Sequence, residues 1–231
     1  MSPDRTGDPI AIVAARDESD RIGATLDALK AAFPNARLIV ADDASSDGTA
    51  DIALGRGAEV VSRRRRHGKG ASVTAAAETV LAVADDPDPP LFLLCDGDLG
   101  GSARKLRTLA DAVERGECDL AVATFSERVG GGFGVARRFA ARAIQRVSGY
   151  DAGAPLSGQR AMRAEVLRSV LPFAAGYGME TAMTIDALRA GFRVRELELD
   201  LEHRATGRDV RGFAHRARQL WDIGRAWWAR R

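Results

Sequence analysis

The sequence predicts one α/β domain on a mostly parallel, Rossmann-like sheet flanked by helices, and three observations predict it. From Ile10 to Thr124, short apolar runs alternate with stretches whose apolar residues recur at helical spacing. Strands separated by helices of about 10 to 15 residues pair in parallel through right-handed crossovers. Each polar cluster stands directly after an apolar run, so the clusters gather at the carboxyl edge of one sheet, where open α/β folds hold their ligands.

In chain order, Ile10 to Ala15 is a strand that ends in Arg16-Asp17-Glu18-Ser19, and Ile22, Leu26 and Leu29 then mark a helix up to Phe33-Pro34. Arg37 to Ala41 is a second strand, followed by Asp42-Asp43-Ala44-Ser45-Ser46-Asp47-Gly48-Thr49 and a helix that stops at Gly55 or Gly57. Ala58 to Ser62 and Ala71 to Ala84 repeat the pattern, as do Leu91 to Cys95 and the helix holding Leu106 to Val113, and Leu120 to Thr124 is a fifth strand. Beyond Thr124 the alternation fails. Gly130 to Gly134 is a loop, Val135 to Val147 a basic amphipathic helix, and Pro155 to Arg163 a loop entering a short strand. Helices are expected over Glu165–Leu171 and from Gly176 to Gly191, a half-covered strand over Phe192–Leu201, and a last helix over Arg211–Arg231.

With 231 residues and no repeat or low-complexity tract, the chain reads as one domain, residues 1–231. Its 34 basic and 32 acidic residues nearly cancel, so net charge gives no reason to expect nucleic acid as a partner. Two cysteines, Cys95 and Cys118, are too few for a disulfide framework or a zinc site. The polar start, Met1 to Pro9, has no signal-peptide core, and no run approaches the ~18 apolar residues that cross a bilayer. A cytoplasmic protein is expected, with peripheral contact to the inner membrane face left open.

The chemistry centres on Leu91 to Gly101. Five apolar residues, buried on both faces, give way at once to Asp96-Gly97-Asp98, a D-x-D motif. In an extended chain both carboxylates leave on one side, and Gly97 lets the backbone turn or approach a ligand closely. Two carboxylates about 5 to 6 Å apart repel by roughly 3 kcal/mol at an effective dielectric of 20, which a divalent cation relieves. Hard oxygen ligands suit Mg²⁺ or Mn²⁺ carrying a substrate phosphate. The alternative is an Asp-Gly turn whose acids cap the helix near Ser102. Asp42 and Asp43 add acids to the same edge; Asp43 suits a nucleobase imide or ribose hydroxyl, whereas Ser46 and Asp47 suit helix caps. In Arg63-Arg64-Arg65-Arg66-His67-Gly68-Lys69-Gly70, Gly68 and Gly70 permit backbone N–H groups to face an anion, with Lys69 as a point charge. This is not a Walker A loop, and the basic run is too short for a nucleic-acid stripe.

These motifs, with Ala14-Ala15-Arg16-Asp17-Glu18, resemble the ordered motifs of GT-A glycosyltransferases of the family 2 type. Pro155 to Arg163, Leu171-Pro172-Phe173, Gly176-Tyr177-Gly178-Met179-Glu180 and Leu199-Asp200-Leu201-Glu202-His203-Arg204 resemble the retaining glucosyl-3-phosphoglycerate synthases. The resemblance spans about residues 9 to 209. It implies a nucleotide-sugar-binding half over about 9–124, an acceptor half over about 125–209, and an appended helix at 210–231. It also implies that Ala14, Glu18 and Asp43 bind the nucleotide, that Gly68, Lys69 and Gly97 lie by the diphosphate or donor sugar, and that Asp98 and His203 ligate Mg²⁺ or Mn²⁺. Asp96 then meets ribose or the metal through water, and Tyr177 and Arg160 contact substrate. Glu180 is the group on which mechanism turns: a general base if the anomeric centre inverts, a holder of sugar hydroxyls if it is retained. Retention is the expectation, with Glu180, Lys69 and Asp98 as the catalytic set.

The chain departs from the synthases at their Gly-Gly-Arg acceptor loop, where it has Gly131-Gly132-Phe133, which argues against phosphoglycerate itself. Arg137, Arg138, Arg160 and Arg163 still point to a small phosphorylated acceptor. Phe213, Ala217, Leu220, Trp221, Gly224, Trp227 and Trp228 fall on one helical face, which suits the protein's own core, a homodimer, or a membrane interface serving a lipid-phosphate acceptor. The expected reaction is metal-dependent hexosyl transfer from a nucleoside diphosphate sugar, UDP-glucose by preference. Its rivals are an inverting polyprenyl-phosphate glycosyltransferase, a non-catalytic nucleotide-sugar sensor, and a sugar-1-phosphate nucleotidyltransferase. The last should carry a Gly-rich loop where Ala15-Arg16-Asp17-Glu18 stands.

Overall fold

The computed structural model describes residues 9–83, 91–125, 134–202 and 211–230, the side chains of 82–83 and 211–219 excepted. The first half runs β1 (Ile10–Ala15), α1 (Ile22–Ala32), β2 (Arg37–Asp42), α2 (Thr49–Gly55), β3 (Glu59–Ser62), α3 (Lys69–Val83), β4 (Phe92–Asp96), α4 (Arg107–Glu114) and β5 (Leu120–Phe125). A 3₁₀ stretch, Gly100–Leu106, leads into α4. The second half adds α5 (Gly134–Ser148), β6 (Arg160–Met162), α6 (Ala164–Val170), α7 (Met179–Arg189), β7 (Val194–Leu199) and α8 (Arg211–Trp228).

The strands form one sheet in the order β3-β2-β1-β4-β6-β5-β7. All neighbours are parallel except β6, which runs antiparallel to both β4 and β5. Alternation of side chains along each strand feeds two apolar layers. Val13 and Leu93 join Leu26, Leu29 and Leu106 on one face. Ile12, Ile39, Phe92 and Leu94 join Val73, Ala76 and Ala77 of α3 on the other. Phe92 and Leu93 are both fully buried, so truncating either to alanine is expected to cost about 3 kcal/mol or more.

The structure differs from the sequence reading at a few ends. Helix α3 starts at Lys69 rather than Ala71, which puts the lysine in its first turn. Strand β7 is shorter than the Phe192–Leu201 alternation. The apolar face read for α8 divides: Leu220 packs with the fully buried Ile223, which that face left out, against Ala136, Ala140 and Phe139 of α5, whereas Trp221 and Trp228 are 72 % and 69 % exposed. Phe213 and Ala217 lie outside the described side chains. Among the described residues, no helix is long and apolar enough to cross a membrane.

Candidate active site at the carboxyl edge of the sheet

The loops after β1 and β2 are stapled together by short polar side chains. Asp17, at φ 53°, donates its N–H to Ser45 Oγ at 3.0 Å and accepts the Ser46 N–H at 2.9 Å. Asp47 accepts from the Ser19 N–H at 2.9 Å and from the Thr49 N–H and hydroxyl at 3.1 and 2.5 Å. Partial desolvation would raise its pKa, but these hydrogen bonds from Thr49 and Ser19 outweigh it and hold the carboxyl well below the usual range. Asp47 thus braces the turn just before α2, whose N-cap is Gly48, and Ser46 serves the staple, so neither is the N-cap that the sequence suggested. Asp42 turns away from the ligand edge: its carboxylate accepts from the Ser45 N–H and hydroxyl and from the Ser62 hydroxyl.

Asp43 and Gly68 are in the cleft, but their hydrogen-bonding capacity is turned inward. Asp43 is 5 % exposed and accepts from the His67 N–H at 2.8 Å, the Gly68 N–H at 2.9 Å and the Ser72 hydroxyl at 3.0 Å. An ionised carboxylate offers about four acceptor sites, so about one remains for a base or ribose. The Gly68 N–H, read from sequence as facing a substrate anion, instead faces this internal one. The carboxylate fixes the loop that presents Lys69. Behind that loop, a Cβ on Gly70 would lie 2.1 Å from the Ala174 carbonyl oxygen, so the start of α3 is pressed directly onto the segment leading to α7.

Lys69 reaches across the cleft floor and bridges two acids, 2.5 Å from Asp96 Oδ1 and 2.9 Å from Glu180 Oε1. Burial would lower its pKa, yet Asp96 and Glu180 more than compensate and hold it above the ordinary lysine value. Gln159 Nε2 donates to Asp96 Oδ2 at 3.1 Å. Gly158 lies flat against the pair, since a Cβ there would stand 2.5 Å from Lys69 Nζ and 2.8 Å from Asp96 Oδ2. The turn after Asp96 is held from below. Thr25, fully buried on α1, donates to the Gly97 carbonyl at 2.7 Å and accepts the Gly100 N–H at 2.8 Å. Gly97 donates its N–H to Ala14 O at 2.8 Å, and a Cβ on it would meet Ile22, Ala14 and Ala15 within 3.4 Å. Close packing on β1 therefore favours glycine at this position, which also lines the cleft. Burial, reinforced by Asp96, pushes the Cys95 thiol far up.

These groups line a cleft of about 660 Å³. Of the residues read from sequence, Ala14, Glu18, Asp43, Gly68, Lys69, Asp96, Gly97, Asp98, Tyr177 and Glu180 all line it. Arg160 does not. It is 1 % exposed and donates to the Ser157 carbonyl, the Thr184 hydroxyl and the Glu180 carbonyl at 2.9 to 3.0 Å. Burial pulls its pKa down to about 10, partly offset by Glu180 and Glu196. Arg160 thus anchors the helix that carries Glu180 and is no substrate ligand. Arg163 is further removed, donating to the Val113 carbonyl at 2.9 Å at the end of β6 away from the cleft. His203 and Gly131 to Phe133 lie outside the described residues. Among the described residues, no three His, Cys, Asp or Glu side chains converge as a metal cage. Asp98, with Asp96 beside it held by Lys69 and Gln159, fits Mg²⁺ or Mn²⁺ completed by water and substrate oxygens rather than an all-protein site.

Ser72 and Asp222 line the cleft and escaped the sequence reading. Asp222 of α8 lines the site and accepts the Tyr177 N–H at 3.2 Å. Gly176, at φ +61°, leaves room for it, because a Cβ there would stand 2.1 Å from Asp222 Oδ2. An acid inside the aromatic helix was the only available signal. Thr25 had a clearer one, a hydroxyl at an apolar helical position beside Ile22, Leu26 and Leu29.

The family model for glycosyl transferase family 2 matches residues 10–171. Among curated proteins, the chain is similar to an undecaprenyl-phosphate mannosyltransferase from Micrococcus luteus, 29 % identical over 86 % of this chain and 85 % of that one. It is also 28 % identical to Glycosyltransferase AglJ from Haloferax volcanii over 76 % of this chain, which spans 57 % of that protein's length. Among solved structures it is similar to glucosyl-3-phosphoglycerate synthase from Mycobacterium tuberculosis in complex with phosphoglyceric acid. That likeness has a TM-score of 0.76 at 26 % identity and covers 96 % of this chain and 80 % of that one. The same synthase, similar at a TM-score of 0.73 and 26 % identity, has been crystallised with Mn²⁺, UDP-glucose and glycerol 3-phosphate, a likeness covering 96 % of this chain and 80 % of that one.

Proposed function

The chain belongs to glycosyl transferase family 2 and is a GT-A glycosyltransferase, and on that premise we propose that it moves glucose from UDP-glucose to a phosphate-bearing or alcohol acceptor, with retention. The observation that carries this reading is the meeting of Lys69, Asp96, Asp98 and Glu180 in one cleft at the carboxyl edge of the sheet. The ligands of the mycobacterial synthase support UDP, glucose and Mn²⁺ as the donor set.

Asp98 and His203 would hold the divalent cation, with Asp96 meeting it through water or meeting the ribose. When bound, Mg²⁺ or Mn²⁺ supplies Lewis-acid stabilisation of the departing diphosphate. Lys69 adds a fixed positive charge on the same side, and the Asp43 brace on its loop keeps that charge in place as the anion develops. The bond from the anomeric carbon to the diphosphate breaks as the acceptor oxygen bonds to the same face. The acceptor proton passes to the leaving phosphate oxygen. Glu180, held 2.9 Å from Lys69, is suited to accept hydrogen bonds from sugar hydroxyls.

A second reading is favoured by the likeness to the undecaprenyl-phosphate enzyme, which covers most of both chains. In it the acceptor is a polyprenyl phosphate and the anomeric centre inverts. Thermal-shift titration with UDP, GDP and other nucleoside diphosphates, in Mn²⁺ and in chelator, tests the shared premise. Stabilisation by UDP that vanishes in chelator is expected; no response to any nucleotide overturns the site. Proton NMR of the anomeric signal in the first product then separates retention from inversion.

A further inference from the structure

We propose that Asp222 of α8 is a specificity-determining residue of the glycosyl-transfer site, its carboxylate accepting a hydrogen bond from a hydroxyl of the transferred hexose; this rests on the UDP-glucose donor proposed for the same cleft. Asp222 is half-buried and lines that cleft together with Lys69, Asp96 and Glu180. Helix α8 holds it there firmly. Ile223 and Ala226 are 0 % and 5 % exposed, and Arg230 pairs with Asp186 of α7 at 2.7 Å. Two glycines let the helix come this close. A Cβ on Gly176 would stand 2.1 Å from Asp222 Oδ2, and one on Gly178 would stand 2.8 Å from the Asp222 carbonyl oxygen and 2.7 Å from the Ala226 Cβ. The turn formed by these glycines runs directly into α7 and Glu180. The same Gly176 backbone lies 3.9 Å from the Cβ position of Gly68, the residue before Lys69. Asp222 therefore stands at a turn that meets both the lysine loop and the helix bearing Glu180.

This carboxylate has capacity to spare. The Tyr177 N–H, 3.2 Å from Oδ2, fixes its orientation and uses one of about four acceptor sites. Three other acids of the cleft are engaged by the protein itself: Asp43 by its own loop, Asp96 by Lys69 and Gln159, and Glu180 by Lys69. A carboxylate set against phosphate is repelled, so the diphosphate stays with Lys69 and the cation, and an acceptor phosphate is kept from this point on the same ground. What can lie against Asp222 is an uncharged part of the donor that carries hydroxyls. Base and ribose belong, in the proposed reading, to Ala14, Glu18 and Asp43 beyond β1 and β2. The hexose is left for the turn between Lys69 and Glu180. A site built to bond a hydroxyl rejects the analogue that lacks it, because its own polar group is then left unpaired. Helix α8 is thus a wall of the donor site as well as a buttress.

Isothermal titration calorimetry of the full chain in Mn²⁺ tests this, with UDP, UDP-glucose and UDP-glucose analogues that each lack one hexose hydroxyl. Asp222→Ala should weaken UDP-glucose by roughly tenfold or more, the effect of losing a hydrogen bond to a charged group, and leave UDP unchanged. One analogue should bind the wild type and Asp222→Ala alike. Asp222→Asn keeps the side-chain shape and an acceptor for the Tyr177 N–H. It should melt with the wild type and still lower the preference for UDP-glucose over UDP, which separates contact with the sugar from support of the turn. Equal weakening of UDP and UDP-glucose, no weakening of either, or a loss that persists against every analogue would each overturn the proposal. A wild-type chain that binds neither UDP nor UDP-glucose overturns the donor reading and this proposal with it, so the two failures are told apart by the wild-type titration alone.

Discussion

Replacing Lys69 by methionine removes the cation that Asp96 and Glu180 share while keeping the length of the side chain. Oxygens lying 2.5 and 2.9 Å from one nitrogen are at most about 5.4 Å apart. At an effective dielectric of about 20 their bare repulsion is about 3 kcal/mol. Lys69 and Asp96 side chains are about 30 % exposed, so screening reduces this to about 2 kcal/mol. For a domain of this size that corresponds to a fall in Tm of about 4 to 8 °C. The pH dependence has a definite sign. The raised pKa of Lys69 means its contribution is complete below the unfolded lysine value of about 10.4 and is lost only as pH rises through the folded one. The deficit of Lys69→Met is therefore flat across neutrality. Scanning calorimetry across the neutral range measures both the deficit and its flatness. Adding Glu180→Gln to Lys69→Met should recover most of the loss. A Lys69→Met protein that melts with the wild type, or a double variant no better than the single, would refute the shared-cation account.

Other expectations follow from the same geometry. Asp98→Asn should abolish the Mn²⁺-dependent part of UDP stabilisation, read by thermal shift. Gly176→Ala places a Cβ 2.1 Å from Asp222 Oδ2 at a left-handed φ and should cost about 2 kcal/mol by urea unfolding; adding Asp222→Ala should return only part of it, since the strained φ persists. Ile223→Ala, fully buried between α8 and α5, should cost about 2 to 4 kcal/mol by the same measurement. The lowered pKa of Asp47 gives it a stabilising role above the ordinary carboxylate value of about 4 that fades as pH falls through the folded one, so the stability gap of Asp47→Asn should close in acid.

The strands that carry the site were legible because burial on both faces demands uninterrupted apolar runs, as in Leu91 to Cys95. The D-x-D motif was legible because acids abruptly end such a run. Strand β6 was not legible as the antiparallel member between β4 and β5, since three residues are too few to show a period. Asp43 and Gly68 were placed at the edge, but the bond between them was not foreseen. A carboxylate closing on two backbone N–H groups some 25 residues away leaves no mark in composition or spacing. Arg160 misled for the same reason: a guanidinium beneath a helix and one above a substrate look alike until the carbonyls around it are known. The split of the α8 tryptophans turned on where α5 packs, which the angular distribution of one helix cannot contain.

The antiparallel β6 has one more consequence, for how the chain can be divided. Its residues Arg160–Met162 bridge β4 and β5, so the strand bearing Asp96 borrows its inner neighbour from sequence more than sixty positions downstream. A cut between β5 and α5 would give an amino-terminal fragment with a gap in the middle of its sheet and a carboxyl-terminal fragment holding the missing slat. Such fragments should regain nucleotide binding only when mixed, which makes the protein a natural candidate for split-reporter complementation.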